Sequence, residues 1–150
     1  MDWTEIVLRL AAASLIGGAI GLNRDLRGAP AGVRTLGIVG LASAVVIMVA
    51  AGAGAPERAD WAAVSRVMQG VVTGIGFLGA GVIVRTGGFS SIHGLTTAAS
   101  TWLTACLGMA CAVASWHMAA VAVPLAFLVL IFGGPIEKAV HRWWGGPDAA

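Results

Sequence analysis

The sequence predicts an all-α, polytopic membrane protein of about five transmembrane helices, with its amino terminus outside and its carboxyl terminus in the cytoplasm. Three observations carry this. Of 150 residues, 58% are hydrophobic and only 11% charged, against about a quarter in ordinary soluble domains. The charges fall between apolar runs, and a bilayer core of about 30 Å takes roughly 20 helical residues to cross. Third, Gly70, Gly74, Gly76, Gly79 and Gly81 sit in one apolar stretch. Each costs roughly 1 kcal/mol against alanine in a water-exposed helix, a cost offset in lipid because missing side chains let helices approach closely.

Residues 4–22 form the first predicted span. Asp2 and Glu5 precede most of its apolar residues, unlike the basic opening of a secretory signal peptide. Glu5 and Arg9 are one helical turn apart in the favourable order, near enough to the interface to extend outward. The second span covers 35–51 and ends in Gly-Ala-Gly-Ala-Pro; the third covers 64–84. The apolar run from Leu95 to Phe132 would reach about 57 Å as one helix. It must fold back, best near Ala114-Ser115-Trp116-His117, giving spans 96–114 and 117–133. Pro124 is the expected kink in the last span. Gly133-Gly134-Pro135 is the expected stop, leaving a short amphipathic cytoplasmic tail over 134–150. All 150 residues then form a single transmembrane domain.

Basic residues set the orientation. With loop 23–34 inside, Arg24, Arg27, Arg34, Arg85, Lys138 and Arg142 share that side, and Arg9, Arg58 and Arg66 remain on the other. The excess belongs in the cytoplasm. Trp3, Trp61 and Trp116 then mark the outer interface, Trp143 and Trp144 the inner one. The net charge of +2 reflects loop placement, not a nucleic-acid surface. Cys106 and Cys111, five apart on a helix, face different directions and do not pair.

Gly17 and Gly21 form a small-residue pair in the first span, as do Gly70 and Gly74 in the third; such pairs make flat grooves for a partner helix, within the chain or in a homo-oligomer. Beside the second groove, Gln69, Thr73, Gly76 and Ala80 recur at helical spacing. The fourth span carries Thr97, Ser100, Thr101 and Thr104. These two polar faces either bond across helices or line a thin polar seam, or the hydroxyls satisfy themselves on the preceding turn. At the cytoplasmic side, Asn23, Arg24, Asp25, Arg34, Thr35, Arg85, His93, Thr96 and Thr97 gather at the span mouths. The arginines there reach lipid phosphates, or converge on Asp25 and on span-end carbonyls. The sequence contains no paired buried carboxylates, no His/Cys ligand cluster, no nucleophile triad and no Walker spacing, so neither an enzyme nor a bound cofactor or metal is expected.

GGAIGLNRDLRGAPAGVRTLGIVGLASA resembles the first motif block of the MgtC/SapB family of bacterial inner-membrane proteins. QGVVTGIGFLGAGVIVR followed by HGLTTAASTWLTACLGMA resembles the second. The likeness covers most of residues 12–114, and the pattern falls on Arg24, Gly32, Arg34, Thr35, Gln69, Gly74, Gly76, Phe77, Leu78, Gly79, Gly81, Arg85, Gly94, Leu95, Thr97, Ala98, Ala99 and Trp102. Asn23 stands where many relatives carry glutamate, and Thr86 where some virulence-associated members carry an acid. With about 17 residues after the last predicted span, the likeness is to a short form without the cytoplasmic carboxyl-terminal domain. The resemblance implies a multi-pass inner-membrane protein linked to magnesium limitation or stress. It also implies regulation of another membrane protein, such as the ATP synthase, by helix–helix contact. An oligomeric Mg²⁺ transporter or channel is the alternative, its path following Asn23, Asp25, Gln69, Thr73 and the hydroxyls of the fourth span.

Overall fold

The structure, a computed structural model, describes residues 1–52, 59–85 and 94–144, without the side chains of residues 84, 85 and 141. It contains five helices: α1 (Trp3–Asp25), α2 (Val33–Ala50), α3 (Trp61–Arg85), α4 (Leu95–Ala112) and α5 (Trp116–Trp144). All five are long and apolar enough to cross a membrane. At 1.5 Å per residue, the 18 residues each of α2 and α4 rise about 27 Å, close to the thickness of a bilayer core.

Local chemistry explains the starts. Asp2 caps α1, its carboxylate accepting from the Trp3 amide at 2.8 Å. Asp60 opens α3, accepting from the Ala62 and Ala63 amides at 2.9 and 3.2 Å. Aspartate suits these positions because its oxygen takes up first-turn donors and its charge complements the positive helix end. The turn between α4 and α5 is tighter than expected and lies at 113–115, with Ala114 at φ 54°. Trp3, Trp61 and Trp116 each begin an odd-numbered helix, so all three lie at one end of the bundle. Trp3 and Trp61 are strongly exposed, as residues of an interfacial belt are.

Consecutive helices alternate in direction, and α4 touches each of the other four. The close packing sits between α1, α2 and α4, and glycine makes it possible. A β-carbon at Gly21 would stand 2.5 Å from the Gly32 carbonyl oxygen, and one at Gly40 would stand 2.5 Å from that of Ala13. At Gly17 it would fall on the Leu36 carbonyl, and at Gly108 on that of Gly40. Backbones meet directly there, the arrangement that lets membrane helices gain dispersion energy without a hydrophobic driving force. Around these crossings, Ala13, Ala44, Ile47, Met48, Met109 and Cys111 form one buried cluster with Val64 of α3, and Ile20, Ala31, Leu36 and Leu107 form a second.

α3 and α5 flank this core. α3 lies chiefly on α4 and more lightly on α2, while α5 meets α4 and touches α1 through the second cluster, using Ala122, Val123, Phe127 and Leu130. α5 departs from expectation. Gly133-Gly134-Pro135 does not stop it; the helix continues to Trp144 with Pro124 and Pro135 inside. Pro135 removes the amide that would reach the Ile131 carbonyl, and Arg27 supplies a donor to that oxygen instead, Nη2 at 3.4 Å. A helix of 29 residues is about 43 Å long, so α5 overshoots a bilayer core by more than two turns.

Candidate functional site

The residues singled out in the sequence fall into three places. The first is the Arg24 end of the bundle. α1 runs through Asn23, Arg24 and Asp25, three residues beyond the predicted span. Arg24 is 8% exposed and turns inward, Nη2 donating to Thr97 Oγ1 at 2.8 Å. Thr97 is the third residue of α4, whose N-cap is Gly94 at φ 90°, with no side-chain cap. Asp25 does not collect the arginines. Its Oδ2 accepts from the Val33 amide at 2.9 Å, capping α2, and its carboxylate fills the space a Gly32 side chain would occupy. Arg34, Thr35 and Thr96 are exposed. The Asn23 Oδ1 and Arg24 Nε atoms are sealed from solvent with no hydrogen-bond partner. Arg85 ends α3 at this same end, but its side chain, with Thr86 and His93, lies outside the described residues.

The second place is the Arg9 end, which the sequence reading missed. Arg9 pairs with Glu5, as the spacing indicates. It does not extend outward, however. Its side chain is 14% exposed, and Nη1 donates to the Ala112 carbonyl at 2.6 Å, in the last turn of α4. The reason is electrical: the final carbonyls of a helix lack amide partners and carry its negative end, so a guanidinium satisfies both. An arginine at the depth of another helix's end was the available signal, but the pairing of α1 with α4 was not.

The third place is the outward face of α3. Gln69, Thr73, Gly76 and Ala80 are all exposed, whereas Thr97, Ser100, Thr101 and Thr104 are all buried. The two polar faces therefore do not meet. Ser100, Thr101 and Thr104 donate to the carbonyls of Thr96, Thr97 and Ser100, four residues back, at 2.7–2.8 Å. The polar seam across α3 and α4 is thus corrected, and the back-bonding alternative holds at those three hydroxyls. The predicted role of the glycines divides too. Gly17 and Gly21 pack within the chain, and Gly79 faces Ala98, 3.4 Å from where its β-carbon would be. Gly70, Gly74, Gly76 and Gly81 have nothing within 4 Å of that position, and Phe77 among them is 81% exposed. Beside this face an apolar groove of about 320 Å³ runs between α2 and α3, lined by Ile38, Ala42, Val46, Gly74 and Leu78 among others.

Among the described residues no three or more His, Cys, Asp or Glu side chains gather as a metal centre would. Cys106 and Cys111 are both free thiols. The arrangement offers a buried guanidinium at one end, a helix-capping ion pair at the other, and an uncovered apolar face.

Comparison with known proteins places this architecture. SrpB of Synechococcus elongatus is 40% identical over 136 residues, covering 86% of this chain and 75% of SrpB. YhiD of Escherichia coli K12, whose name carries the words magnesium transporter, is 42% identical over 109 residues, 70% of this chain and 49% of YhiD. MgtC of Salmonella typhimurium is 38% identical over 136 residues, 91% of this chain and 54% of MgtC. The chain thus spans three quarters of SrpB but about half the length of YhiD and MgtC. No solved structure matches it. The MgtC family profile matches residues 10–139, which takes in the Arg24 end and the outward face of α3 and begins one residue after Arg9, and the chain belongs to the MgtC family.

Proposed function

We propose that this chain is a non-enzymatic protein of the bacterial inner membrane, its amino terminus outside and carboxyl terminus cytoplasmic, which regulates another membrane protein by lateral helix–helix contact under magnesium limitation or stress. The observation that carries this reading is the outward face of α3. Gly70, Gly74 and Gly81 follow one another at helical spacing with open space at each, beside an apolar groove. Glycines that pack nothing within the chain weaken a helix, and close approach of a partner helix offsets that cost in lipid. By family resemblance the ATP synthase is a candidate partner.

Gly74→Leu fills the face at a position where a β-carbon meets nothing within 4 Å and the side chain has an open groove to enter. The variant is expected to insert and fold as the parent does while losing co-purification with the membrane partner, tested first with ATP synthase subunits in mild detergent. Capture undiminished in Gly74→Leu sinks the claim for this face. Gly79→Leu is not an equivalent probe, because Gly79 packs against Ala98 and the change would part α3 from α4.

A second reading is favoured by the exposure of Gln69 and Thr73 on the same face, together with the name that YhiD carries. In a homo-oligomer those side chains, contributed by several copies, would line a shared polar path for Mg²⁺. Among the described residues of one copy these groups do not line up, since Asp25 is occupied at the start of α2 and the α4 hydroxyls are turned inward. If this reading holds, proteoliposomes take up Mg²⁺ saturably and Gln69→Leu removes most of that uptake without altering the melting temperature. Uptake equal to that of protein-free vesicles rules it out.

A further inference from the structure

α1 places an arginine at each end of α4, and the two ends are electrically unlike. Arg9 meets the last turn, where free carbonyls carry about half a negative charge, while Arg24 meets the first, where free amides carry about half a positive one. The first contact is attractive. The second sets a guanidinium against charge of its own sign, at a position only 8% exposed.

The free carbonyls at the end of α1, in whose last turn Arg24 lies, offset part of that conflict, but no described counter-charge removes the rest. Among the described residues the ion pairs are Arg9–Glu5 and Arg66–Asp60, so Arg24 has no carboxylate partner. Its hydrogen bond goes to the neutral hydroxyl of Thr97, and Nε is sealed from solvent without an acceptor. The adjacent Asp25 is committed to the Val33 amide at the start of α2. Residues 86–93, which lead into α4, contain no Asp or Glu. Arg27 and Arg34 add positive charge at the same end, and both are exposed. A buried charge without a counter-charge is costly enough that proteins rarely keep one.

We propose that the Arg24 end of α4 is an oxyanion site of the phosphate class, held by the Arg24 guanidinium and the first-turn amides of α4. The chemistry selects phosphate. A guanidinium offers paired, parallel donors that match two oxygens of one tetrahedral anion. A helix start without a side-chain cap presents further amides and a favourable dipole. Gly94, lacking a side chain at the N-cap, puts no side chain of its own over those amides. An anion bound there neutralises Arg24 and turns the repulsive contact with α4 into a clamp between α1 and α4. The same group occurs free in the cytoplasm and on anionic phospholipids, and a site at a membrane-facing helix end is within reach of both.

The test uses the full chain purified in dodecyl maltoside, with melting followed by tryptophan fluorescence. One arm titrates sodium phosphate against sodium chloride at matched ionic strength. The other compares nanodiscs of phosphatidylcholine alone with nanodiscs also containing phosphatidylglycerol, and native mass spectrometry reads retained lipid. The expected result is a saturable rise in melting temperature with one of the two sources, beyond the chloride control. A response to inorganic phosphate assigns a soluble anion; a response to phosphatidylglycerol with retained lipid assigns a headgroup. In Arg24→Gln the apparent affinity should fall at least about tenfold, as loss of charge-assisted donors implies, while Arg24→Lys keeps most of it. If Arg24→Gln does not fold, the parent protein alone decides. No response above chloride to either source, or an equal response in a folded Arg24→Gln, overturns the site.

Discussion

Gly40→Leu and Gly108→Leu abolish the folded state, whereas Gly74→Leu unfolds like the parent. A β-carbon on Gly108 of α4 would fall on the Gly40 backbone of α2, and one on Gly40 would fall on the backbone of α1. The obstruction at Gly40 is the Ala13 carbonyl of α1, 2.5 Å away, with the Thr104 methyl 3.5 Å off on the third side. Backbone cannot swing aside as the end of a side chain can, so α1, α2 and α4 must part together. Overpacking of a tight core costs typically 1–3 kcal/mol; a leucine at a three-helix crossing should exceed about 3 kcal/mol and leave little native protein. Even Gly40→Ala should lower stability measurably. Unfolding by SDS in mixed micelles reads all four variants on one scale. Similar losses at positions 40 and 74 would mean that the α1–α2–α4 crossing is not where the chain is held together.

Arg9→Leu presents the next largest effect, and with opposite signs in two assays. Leucine is far better than arginine inside a membrane, so insertion of α1 improves. Folding suffers, because the Ala112 carbonyl loses its donor and Glu5 its partner. Glu5 is half-exposed and regains water, which limits the loss to about 1–3 kcal/mol. Arg9→Lys should fall between, since one ammonium does not reproduce a fork that serves an acid and a carbonyl at once. SDS unfolding of the three proteins, beside a glycosylation-based insertion assay of α1, separates the two effects. Stability of Arg9→Leu within about 0.5 kcal/mol of the parent, the range of an ordinary surface substitution, would show that the contact with α4 contributes nothing.

Much of the architecture was legible in the sequence because lipid leaves the chain few choices. Apolar runs bounded by charge located α1 to α4 within three residues at each end, and the excess length after Leu95 required the turn that lies at 113–115. α5 escaped because Gly-Gly-Pro reads as a terminator until the Arg27 side chain, a hundred residues away in sequence, is seen at the carbonyl Pro135 abandons. The glycines were legible in part: Gly17 and Gly21 were singled out as a packing pair and do pack, whereas Gly40 and Gly108 were not singled out. The dense run in α3 drew attention, but the tightest approaches use Gly17, Gly21, Gly40 and Gly108, scattered over three helices. Gly40 with Ala44, and Gly108 with Ala112, are small residues four apart and gave a usable signal. Which helices they join is a tertiary fact that spacing along one strand of sequence does not contain. Arg24 and Thr97 were both chosen as candidates, and their contact 73 residues apart was likewise beyond local pattern.

The central position of α4 bears on how the chain is made. α4 is the least apolar and the most enclosed of the five spans, yet it is the fourth to leave the ribosome. α1 and α2 can join as soon as both have emerged, their connection being short and fastened by Asp25. α3 must then wait in lipid with only its light contact to α2, its packing surface toward α4 as bare as its outer face. When α4 arrives with its inward hydroxyls, it finds a groove already assembled from α1 and α2 on one side and an idle helix on the other. The membrane alone would receive α4 poorly; a half-built protein receives it well. Biogenesis of this chain is therefore a recruitment, in which earlier helices admit a later one that lipid by itself would hold only weakly.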